Sequence, residues 1–350
     1  MNFITDAPAP EPIVKSDKLK NKVTLSASSV KGFLDCSYLF YQTRFLKVPD
    51  WTWPATKLGS LAHIILECLQ NPRHRKHHAS VVAARSAYGS AAISRLIKIY
   101  CYHNPDLDQK TLADLDKCLM VALDYDFFDE GAVKSLPPEH PFEIDYGDFQ
   151  IKGFMDRVAL YAASARCLDY KSQRKVFSDE ELAWNIQSVF YQLAIRHEFN
   201  LPAAVEFIML RHGPTKRTPG KQWLQRVEPL SDAQLDGFIE YLRQVNRAIN
   251  ALDEKSALDN PKCKKDEGFC LRVCSLKDPF DYWTITDKNG KIRSARVSRH
   301  LKDAQLTEEQ ILVDVKRQLK PVEGEELVKK RFGGCYFWYN PETERPRNPN

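Results

Sequence analysis

The chain has 350 residues, enough for at most two compact domains of ordinary size. Hydrophobic residues make up 43% of the chain, and the charged residues, at 28%, are well mixed in sign, which excludes a wholly disordered protein. The 51 Lys and Arg residues and 46 Asp and Glu residues leave a net charge of only +5, which excludes a protein coated in positive charge. Any surface that binds a polyanion must therefore be local.

The N-terminal third is predicted to be helical. Residues 1–22, with three prolines among charged residues, are typical of a flexible arm that precedes it. Apolar residues recur at helical spacing over Ser26–Phe45 and again over Gly59–Leu69, and helical patterns continue for roughly seventy residues after that. We therefore assign residues 23–136 to a helical region.

A sheet is predicted to begin near Pro137, where proline breakers and alternating polarity appear. The segments Gln150–Tyr161 and Cys167–Ser172 flank a short turn and predict a hairpin. A helix should follow, opened by a capping box of Ser178 and Glu181 and running to about Glu198.

The second half of the sheet region contains strand 204–211, its return over 223–228 and a long helix opened by Ser231 and Gln234. Residues 137–255 thus predict an α/β core, a mixed central sheet flanked by helices. Residues 256–338 form a cysteine-containing segment whose one clear helical pattern is Thr307–Leu319, opened by a capping box of Thr307 and Gln310. Residues 339–350 are typical of a solvated tail.

One polar cluster on the predicted sheet points to chemistry. Asp169 and Lys171 share one face of their strand because successive side chains alternate, and the hairpin brings Asp156 towards them. Two converging carboxylates are costly unless a cation neutralises them. Gln187 and Tyr191, four residues apart on the next helix, can face the same place. A structural ion pair and an ordinary surface pair on a helix are the alternatives.

The order of these residues resembles the PD-(D/E)XK nuclease superfamily, in particular its RecB-like and CRISPR-associated exonuclease branch. The matching motifs are GFMD ending at Asp156, DYK over 169–171 and QSVFY over 187–191. Upstream, the Ser26–Phe40 helix with Cys36 and the GSLAH motif ending at His63 are similar to that branch too. The resemblance implies a restriction-endonuclease-like core with a helical insertion between His63 and Asp156, and hydrolysis of phosphodiester bonds in DNA.

The resemblance also implies residue roles. The metal ligands for Mg²⁺ or Mn²⁺ would be His63, Asp156, Asp169 and the main-chain carbonyl of Tyr170, and the catalytic residues would be Asp156, Asp169, Lys171, Gln187 and Tyr191. Oxygen donors suit both ions and an imidazole shifts the preference towards Mn²⁺. Lys171 would orient the attacking water and offset charge on the phosphate in the transition state. For His63 the alternative is a polar residue on an apolar helix.

Four cysteines form a second candidate site. Cys36 and a late group of Cys263, Cys270 and Cys274 resemble the iron-sulfur staple of AddB-type nucleases, which implies a 4Fe-4S cluster. The late spacing departs from the C-x2-C-x5-C of that family, so Zn²⁺ on four thiolates and unliganded cysteines remain alternatives. Cys335 is a reserve ligand.

Basic residues beside the sheet are the candidates for DNA contacts: Arg174, Lys175, Lys216 and Arg217, with a solvated loop as the alternative. The leading prediction is a metal-dependent DNA exonuclease in recombination, repair or end processing. A catalytically silent module that binds DNA ends or a partner protein, and a CRISPR or phage endonuclease, are the alternatives.

The expected partner is DNA, with single strands or ends favoured. No P-loop motif occurs, so strand separation would come from a helicase, and an annealing or recombination protein is a further possible partner. The chain has no run of 18 apolar residues and no signal-peptide pattern, so we expect a cytoplasmic protein, or a phage protein acting in the host cytoplasm, without a membrane partner.

Overall fold

The structure is a computed structural model that describes residues 23–50, 54–105, 107–212, 223–259, 270, 274–298, 301 and 304–339. The predicted arm, most of the predicted tail and the basic loop lie outside the described residues. In the described part of the chain, no helix combines the length and the apolar character needed to span a bilayer.

Helices and strands alternate along most of the chain. The helices are α1 (Ala27–Asp35), α2 (Ser37–Arg44), α3 (Pro54–Gln70), α4 (Arg75–Ala84), α5 (Ala91–His103), α6 (Gln109–Leu112), α7 (Leu115–Leu123), α8 (Asp179–Ala183), α9 (Ile186–Phe199), α10 (Asp232–Asn250), α11 (Glu254–Leu258) and α12 (Glu308–Leu319). The strands are β1 (Val23–Leu25), β2 (Lys134–Ser135), β3 (His140–Asp145), β4 (Phe149–Met155), β5 (Arg157–Leu160), β6 (Ala165–Lys171), β7 (Ala203–Met209), β8 (Leu224–Val227), β9 (Phe280–Thr286), β10 (Ile292–Arg296) and β11 (Val328–Phe332).

The central sheet is mixed and has the strand order β2-β5-β6-β7-β8. Strands β6 and β7 run parallel, whereas β5 pairs antiparallel with β6 and β8 pairs antiparallel with β7. A second sheet, of order β1-β4-β3, adjoins it because β4 leads into β5 with only Asp156 between them. This arrangement confirms the predicted α/β class and the predicted hairpin.

Helices cover both faces of the central sheet. On one face, α1, α9 and α10 pack with the alternate side chains Cys167 of β6 and Phe207 of β7. On the other face, α3, α4, α5 and α7 pack against Leu168, Tyr170 and Ile208. All seven residues of β7 are buried, as expected for a parallel strand covered on both sides. The helices of the insertion therefore share a hydrophobic core with the central sheet.

Two predicted helices are each broken into two, so their predicted extents were wrong. The helix over Ser26–Phe45 stops at Cys36, whose backbone is extended (φ −159°, ψ 102°) and whose Sγ accepts a hydrogen bond from the amide of Leu39. The helix from Ser178 stops at Trp184, and Asn185 caps a new helix through the amide of Ser188. In both places the apolar pattern continues across the break, which hides the break.

The predicted capping boxes at Ser178, Ser231 and Thr307 are all present. In each, the hydroxyl accepts from the third amide of the helix while that third side chain accepts from the capping amide. By contrast, the single strand predicted over Gln150–Tyr161 was wrong, because the chain bends at Asp156 and divides into β4 and β5.

The C-terminal segment contains a small antiparallel sheet that the sequence did not predict, of order β10-β9-β11. Helix α12 covers it through a cluster that includes Trp283, Ile285 and Val315. Tyr282 and Phe332, on the strands, pack with Val48, which follows α2. The C-terminal segment is thus a folded unit attached to the N-terminal helices.

Candidate functional site

Strand β6 presents Asp169 and Lys171 on the face that α9 covers. Asp169 is only 1% exposed, and its Oδ2 lies 2.6 Å from Nζ of Lys171. The side chain of Tyr170 points to the opposite face, where it packs among the helices of the insertion. The alternation of the strand therefore separates an ion pair from an apolar contact, as the sequence predicted.

Helix α9 holds this ion pair with two side chains one turn apart. Nε2 of Gln187 donates to Oδ1 of Asp169 (2.6 Å) and to the hydroxyl of Tyr191 (2.6 Å), while its Oε1 accepts from Nζ of Lys171 (2.6 Å). The hydroxyl of Tyr191 donates to Oδ1 of Asp169 (2.8 Å). Burial and the neighbouring Asp169 carboxylate raise the pKa of Tyr191 well above its ordinary value. The phenol therefore stays protonated and can donate.

Asp156 occupies the bend between β4 and β5 and meets His63 of α3. Its Oδ2 accepts a hydrogen bond from the amide of Tyr170 (2.8 Å) and lies 3.3 Å from Nδ1 of His63. Nε2 of His63 lies 2.7 Å from the carbonyl oxygen of Tyr170. Three of the predicted ligand groups thus converge at Tyr170, near the C-terminal end of β6.

Gly59 lets α3 come this close to the sheet. A Cβ atom at Gly59 would lie 2.2 Å from Oγ and 3.1 Å from Cβ of Ser172, which directly follows β6. The absence of a side chain therefore sets the distance between α3 and β6, and through it the position of His63 one turn later.

The charged form of the Asp156 carboxylate is destabilised by burial and by the nearby carboxylate of Asp169. The side chain of Asp156 is 11% exposed. Burial, followed by the Asp169 carboxylate, raises its pKa to about 7, although His63 and the amide of Tyr170 oppose the shift. Such a carboxylate costs free energy when it is charged and gains from a bound cation.

Glu139 is a member of this site that the sequence analysis missed. Glu139, His63 and Asp156 each offer a ligand atom, and these atoms all lie within 4.8 Å of one another. Glu139 directly precedes β3, whose antiparallel register pairs His140 with Met155 and so brings Glu139 beside Asp156. Only the register could have revealed this. Glu143, a further acid on β3, is exposed and lies opposite Lys152.

Two clefts open on the cluster. The first has a volume of about 860 Å³ and is lined by His63 and Glu139, and the second, of about 1020 Å³, is lined by Lys171, Gln187 and Tyr191. Phe154 and Gln173 line both. An extended ligand that occupied both clefts would therefore contact these two residues.

The cysteines are only partly described. Cys263 lies outside the described residues, whereas Cys36 and Cys270 are near enough to Cys274 for their thiols to affect its ionisation. Burial first, and these two thiols after it, raise the pKa of Cys274 to about 12. The amide of Cys335 donates to the main-chain carbonyl oxygen of Lys277 (3.1 Å), which brings a further cysteine to the same region.

Two of the four candidate DNA-binding residues lie in the described part of the chain. Arg174 is exposed, and its carbonyl accepts a hydrogen bond from Nε2 of His212. Lys175 forms an exposed ion pair with Glu181 at 3.3 Å. Lys216 and Arg217 lie outside the described residues.

Comparison with known proteins identifies one family and two similar solved structures. The family model of the PD-(D/E)XK nuclease superfamily matches residues 24–278. A solved structure described as a "Putative exonuclease" from Eubacterium rectale is 14% identical with a TM-score of 0.43, covering 71% of this chain and 93% of that chain. The structure of SSO0001 is 14% identical with a TM-score of 0.27, covering 74% of this chain and 90% of that chain. No curated protein matches the chain.

Proposed function

This chain belongs to the PD-(D/E)XK nuclease superfamily, and from that premise we propose that it is a divalent-metal-dependent exonuclease acting on DNA. The observation that carries the proposal is the Asp169–Lys171 pair, which Gln187 and Tyr191 hold in place. Asp156 lies beside this pair in the same cluster. The superfamily is one of nucleases, for which DNA is the implied substrate, and exonucleolytic cleavage is the finer step that we propose.

The donor set of the site fits Mg²⁺ or Mn²⁺. Carboxylates of Asp156 and Asp169 and the carbonyl of Tyr170 are hard oxygen donors, and His63 adds an imidazole that favours Mn²⁺. The raised pKa of Asp156 marks a carboxylate that a cation would stabilise. When bound, such an ion polarises a phosphate oxygen and lowers the pKa of a water.

The protein's own groups have separate tasks in this proposal. Lys171 orients the attacking water and offsets the charge that grows on the phosphate, because its ammonium is held at the edge of the cluster by Gln187. Tyr191 keeps Asp169 in one orientation by donating to its Oδ1. Gln187 joins all three side chains, so it sets the distance between the acid and the ammonium.

The test is cleavage of end-labelled linear DNA, single- and double-stranded, in Mg²⁺ and in Mn²⁺. We expect the wild type to degrade linear DNA and to spare a closed circle, and Asp169→Asn and Lys171→Met to lose at least about a hundredfold in rate. Cleavage of the closed circle would show that the protein is an endonuclease and not an exonuclease. Binding of ends without cleavage, or equal rates for all three proteins, would refute the active-nuclease proposal.

We place the chain in the RecB-like branch, with a role in recombination, repair or end processing alongside a helicase or an annealing protein. In this proposal Cys36, Cys263, Cys270 and Cys274 hold a 4Fe-4S cluster. The influence of Cys36 and Cys270 on the thiol of Cys274 supports it. Whether the four thiolates hold a 4Fe-4S cluster or Zn²⁺, the site would join the start of α2 to the C-terminal segment.

An absorption spectrum of anaerobically purified protein tests the cluster. We expect a broad visible band in the wild type and its loss in Cys270→Ser. The control is Cys68→Ser, which changes a half-buried thiol on α3 and should retain the band. A colourless wild type that contains one equivalent of zinc would assign the four thiolates to Zn²⁺ instead.

Arg174, Lys175, Lys216 and Arg217 are proposed to contact phosphates. Replacing Arg174 and Lys175 with Ala should weaken DNA binding uniformly across sequences. The slope of log affinity against log salt concentration should become less steep by about one to two, because up to two phosphate contacts are lost. The matched control is Arg85→Ala, since Arg85 lies far along the chain and pairs with Asp124 on the surface.

A further inference from the structure

The backbone of Glu139 is held in an unfavourable conformation beside the candidate metal site. Its φ of +53° lies in the left-handed region, which glycine tolerates and other residues enter at a cost. The amide of Glu139 donates to the carbonyl of Asp156 (3.1 Å), which fixes the two residues to each other. Such strain persists where the surrounding structure imposes it, and it is concentrated at functional sites.

The Glu139 carboxylate faces two potential metal ligands, His63 and Asp156. Its ligand atom lies within 4.8 Å of those of His63 and Asp156, and it is half-buried in the wall of the first cleft. Within the described part of the chain, no Lys, Arg or His forms an ion pair with it, and Lys171 is committed to Asp169. A half-buried carboxylate in this situation lacks a compensating charge.

The charge balance of the first cleft is negative. Glu67 and Glu139 line it together with His63, and Oδ2 of Asp156 lies 3.3 Å from Nδ1 of that histidine. Acidic side chains that converge in this way repel one another unless a cation lies between them. A mixed set of carboxylates and one imidazole is a donor set for a divalent ion and not for a second protein side chain.

We propose that Glu139 is a ligand of a divalent cation, which it binds in the first cleft together with His63 and Asp156. This inference rests on the proposed function, because the same cation centre would serve cleavage. It adds a fourth side chain to the ligand set and explains why an acid occupies a position whose backbone favours glycine. Glu67, whose oxygens do not belong to the group within 4.8 Å, contributes only its charge.

The test measures metal binding by the full chain without DNA. Mn²⁺ is titrated into metal-free protein, and free Mn²⁺ is followed by its paramagnetic resonance signal. We expect Glu139→Gln to weaken Mn²⁺ binding at least about tenfold, as expected when one ligand is lost. Glu67→Gln removes the same charge from the same cleft and should change the affinity by less than about threefold.

Two results would overturn the inference: an unchanged affinity in Glu139→Gln, or an equal loss in Glu67→Gln, which would leave only a charge effect. Circular dichroism of the metal-free proteins checks folding, and Glu139→Gly, which suits the left-handed backbone, replaces Glu139→Gln if that variant misfolds. The two proposals fail separately. A wild type that binds Mn²⁺ and cleaves DNA, with Glu139→Gln binding equally well, refutes only the role of Glu139.

Discussion

Asp156 and Asp169 are held in different ways, although they belong to one cluster. Asp169 receives hydrogen bonds from Gln187 and Tyr191 and pairs with Lys171. Asp156 receives one amide hydrogen bond and lies 3.3 Å from a nitrogen of His63. Burial, followed by the neighbouring Asp169 carboxylate, raises the pKa of Asp156 to about 7.

This shift predicts how the metal-free protein responds to pH. Asp156 has an ordinary pKa of 3.8, so between about pH 4 and pH 7 the folded chain binds a proton that the unfolded chain has lost. Stability must therefore fall as the pH rises through this range and level off above it. Asp156→Asn lacks this carboxyl, so in EDTA it should be more stable than the wild type by up to about 4 kcal/mol at pH 8 and equal to it near pH 4.

Urea unfolding at pH 4, 6 and 8, with chelator present, measures this difference. A gap between the two proteins that stays constant with pH would contradict the shift. Saturating Mn²⁺ should reverse the order at pH 8, because the wild type binds the ion and the variant has lost a carboxylate ligand.

Gln187 is hydrogen-bonded to the Asp169 carboxylate, the Lys171 ammonium and the Tyr191 hydroxyl. Replacing it with Met keeps the volume and removes the hydrogen bonds to Asp169, Lys171 and Tyr191. We expect kcat for DNA cleavage to fall about tenfold to a hundredfold, measured in single-turnover reactions, with Mn²⁺ affinity nearly unchanged.

The matched control is Gln192→Met on the same helix. Gln192 is buried and accepts a hydrogen bond from the amide of Leu230, remote from the cluster. This variant should lower the melting temperature without changing kcat. If both variants lower kcat equally, Gln187 acts only through the stability of α9.

Most of the cluster could be predicted from the sequence because motif order places these side chains on β6, α3 and α9. Asp169 and Lys171 follow from strand alternation, and Gln187 and Tyr191 follow from helical spacing. Glu139 could not be found in this way. It reaches the cluster through the register of β3 on β4 and through a left-handed backbone, and neither is visible in composition or periodicity.

At the scale of elements, the contact between α3 and the end of β6 determines where His63 lies. In Gly59→Ala the new methyl group would meet Ser172, and the serine hydroxyl can rotate away but its Cβ, at 3.1 Å, cannot. Helix propensity favours Ala by up to about 1 kcal/mol, so overall stability should change little. The displaced α3 should nonetheless lower Mn²⁺ affinity and cleavage about tenfold.

Ser172→Gly removes both contacting atoms and should restore function in the double variant. A double-mutant cycle on Mn²⁺ affinity measures this coupling. Additive effects of the two changes would show that Gly59 does not control the approach of α3 to β6.

The elements themselves were predictable where their ends are local. The capping boxes at Ser178, Ser231 and Thr307 involve residues three apart, and each begins a helix as predicted. The breaks at Cys36 and Asn185 were missed because the apolar pattern runs through both, although each of these side chains caps the helix that follows it. Strands β9, β10 and β11 were missed because their stability comes from pairing with one another and from α12.

At the scale of the molecule, a buried ion pair joins the helical insertion to the sheet. Arg157 of β5 is fully buried and lies 2.5 Å from Oδ1 of Asp129, in the chain between α7 and β2. Arg157 also donates to the carbonyl of Asp126 and to the hydroxyl of Tyr170. The guanidinium thus links three segments that are distant in sequence.

Removing the acid should leave this cation buried without its counter-charge. We expect Asp129→Asn to lower the free energy of unfolding by about 3 kcal/mol, because breaking one side of a buried pair costs far more than the pair itself contributes. Asp124→Asn breaks an exposed pair with Arg85 and should change stability by less than about 0.5 kcal/mol.

Guanidinium unfolding of both variants measures the contrast. Equal, small effects would mean that solvent reaches Arg157 when Asp129 is neutral. In that case the ion pair would not join the helical insertion to the sheet.

The left-handed backbone at Glu139 places heat resistance and metal binding in opposition. Glu139→Gly would relieve backbone strain worth about 1–3 kcal/mol. The greater freedom of glycine in the unfolded chain would offset up to about 1 kcal/mol of this gain. A laboratory selection for survival at high temperature alone should therefore enrich glycine at this position. A selection that requires metal-dependent activity should retain the acid, so sequences evolved under the two regimes would diverge first at residue 139.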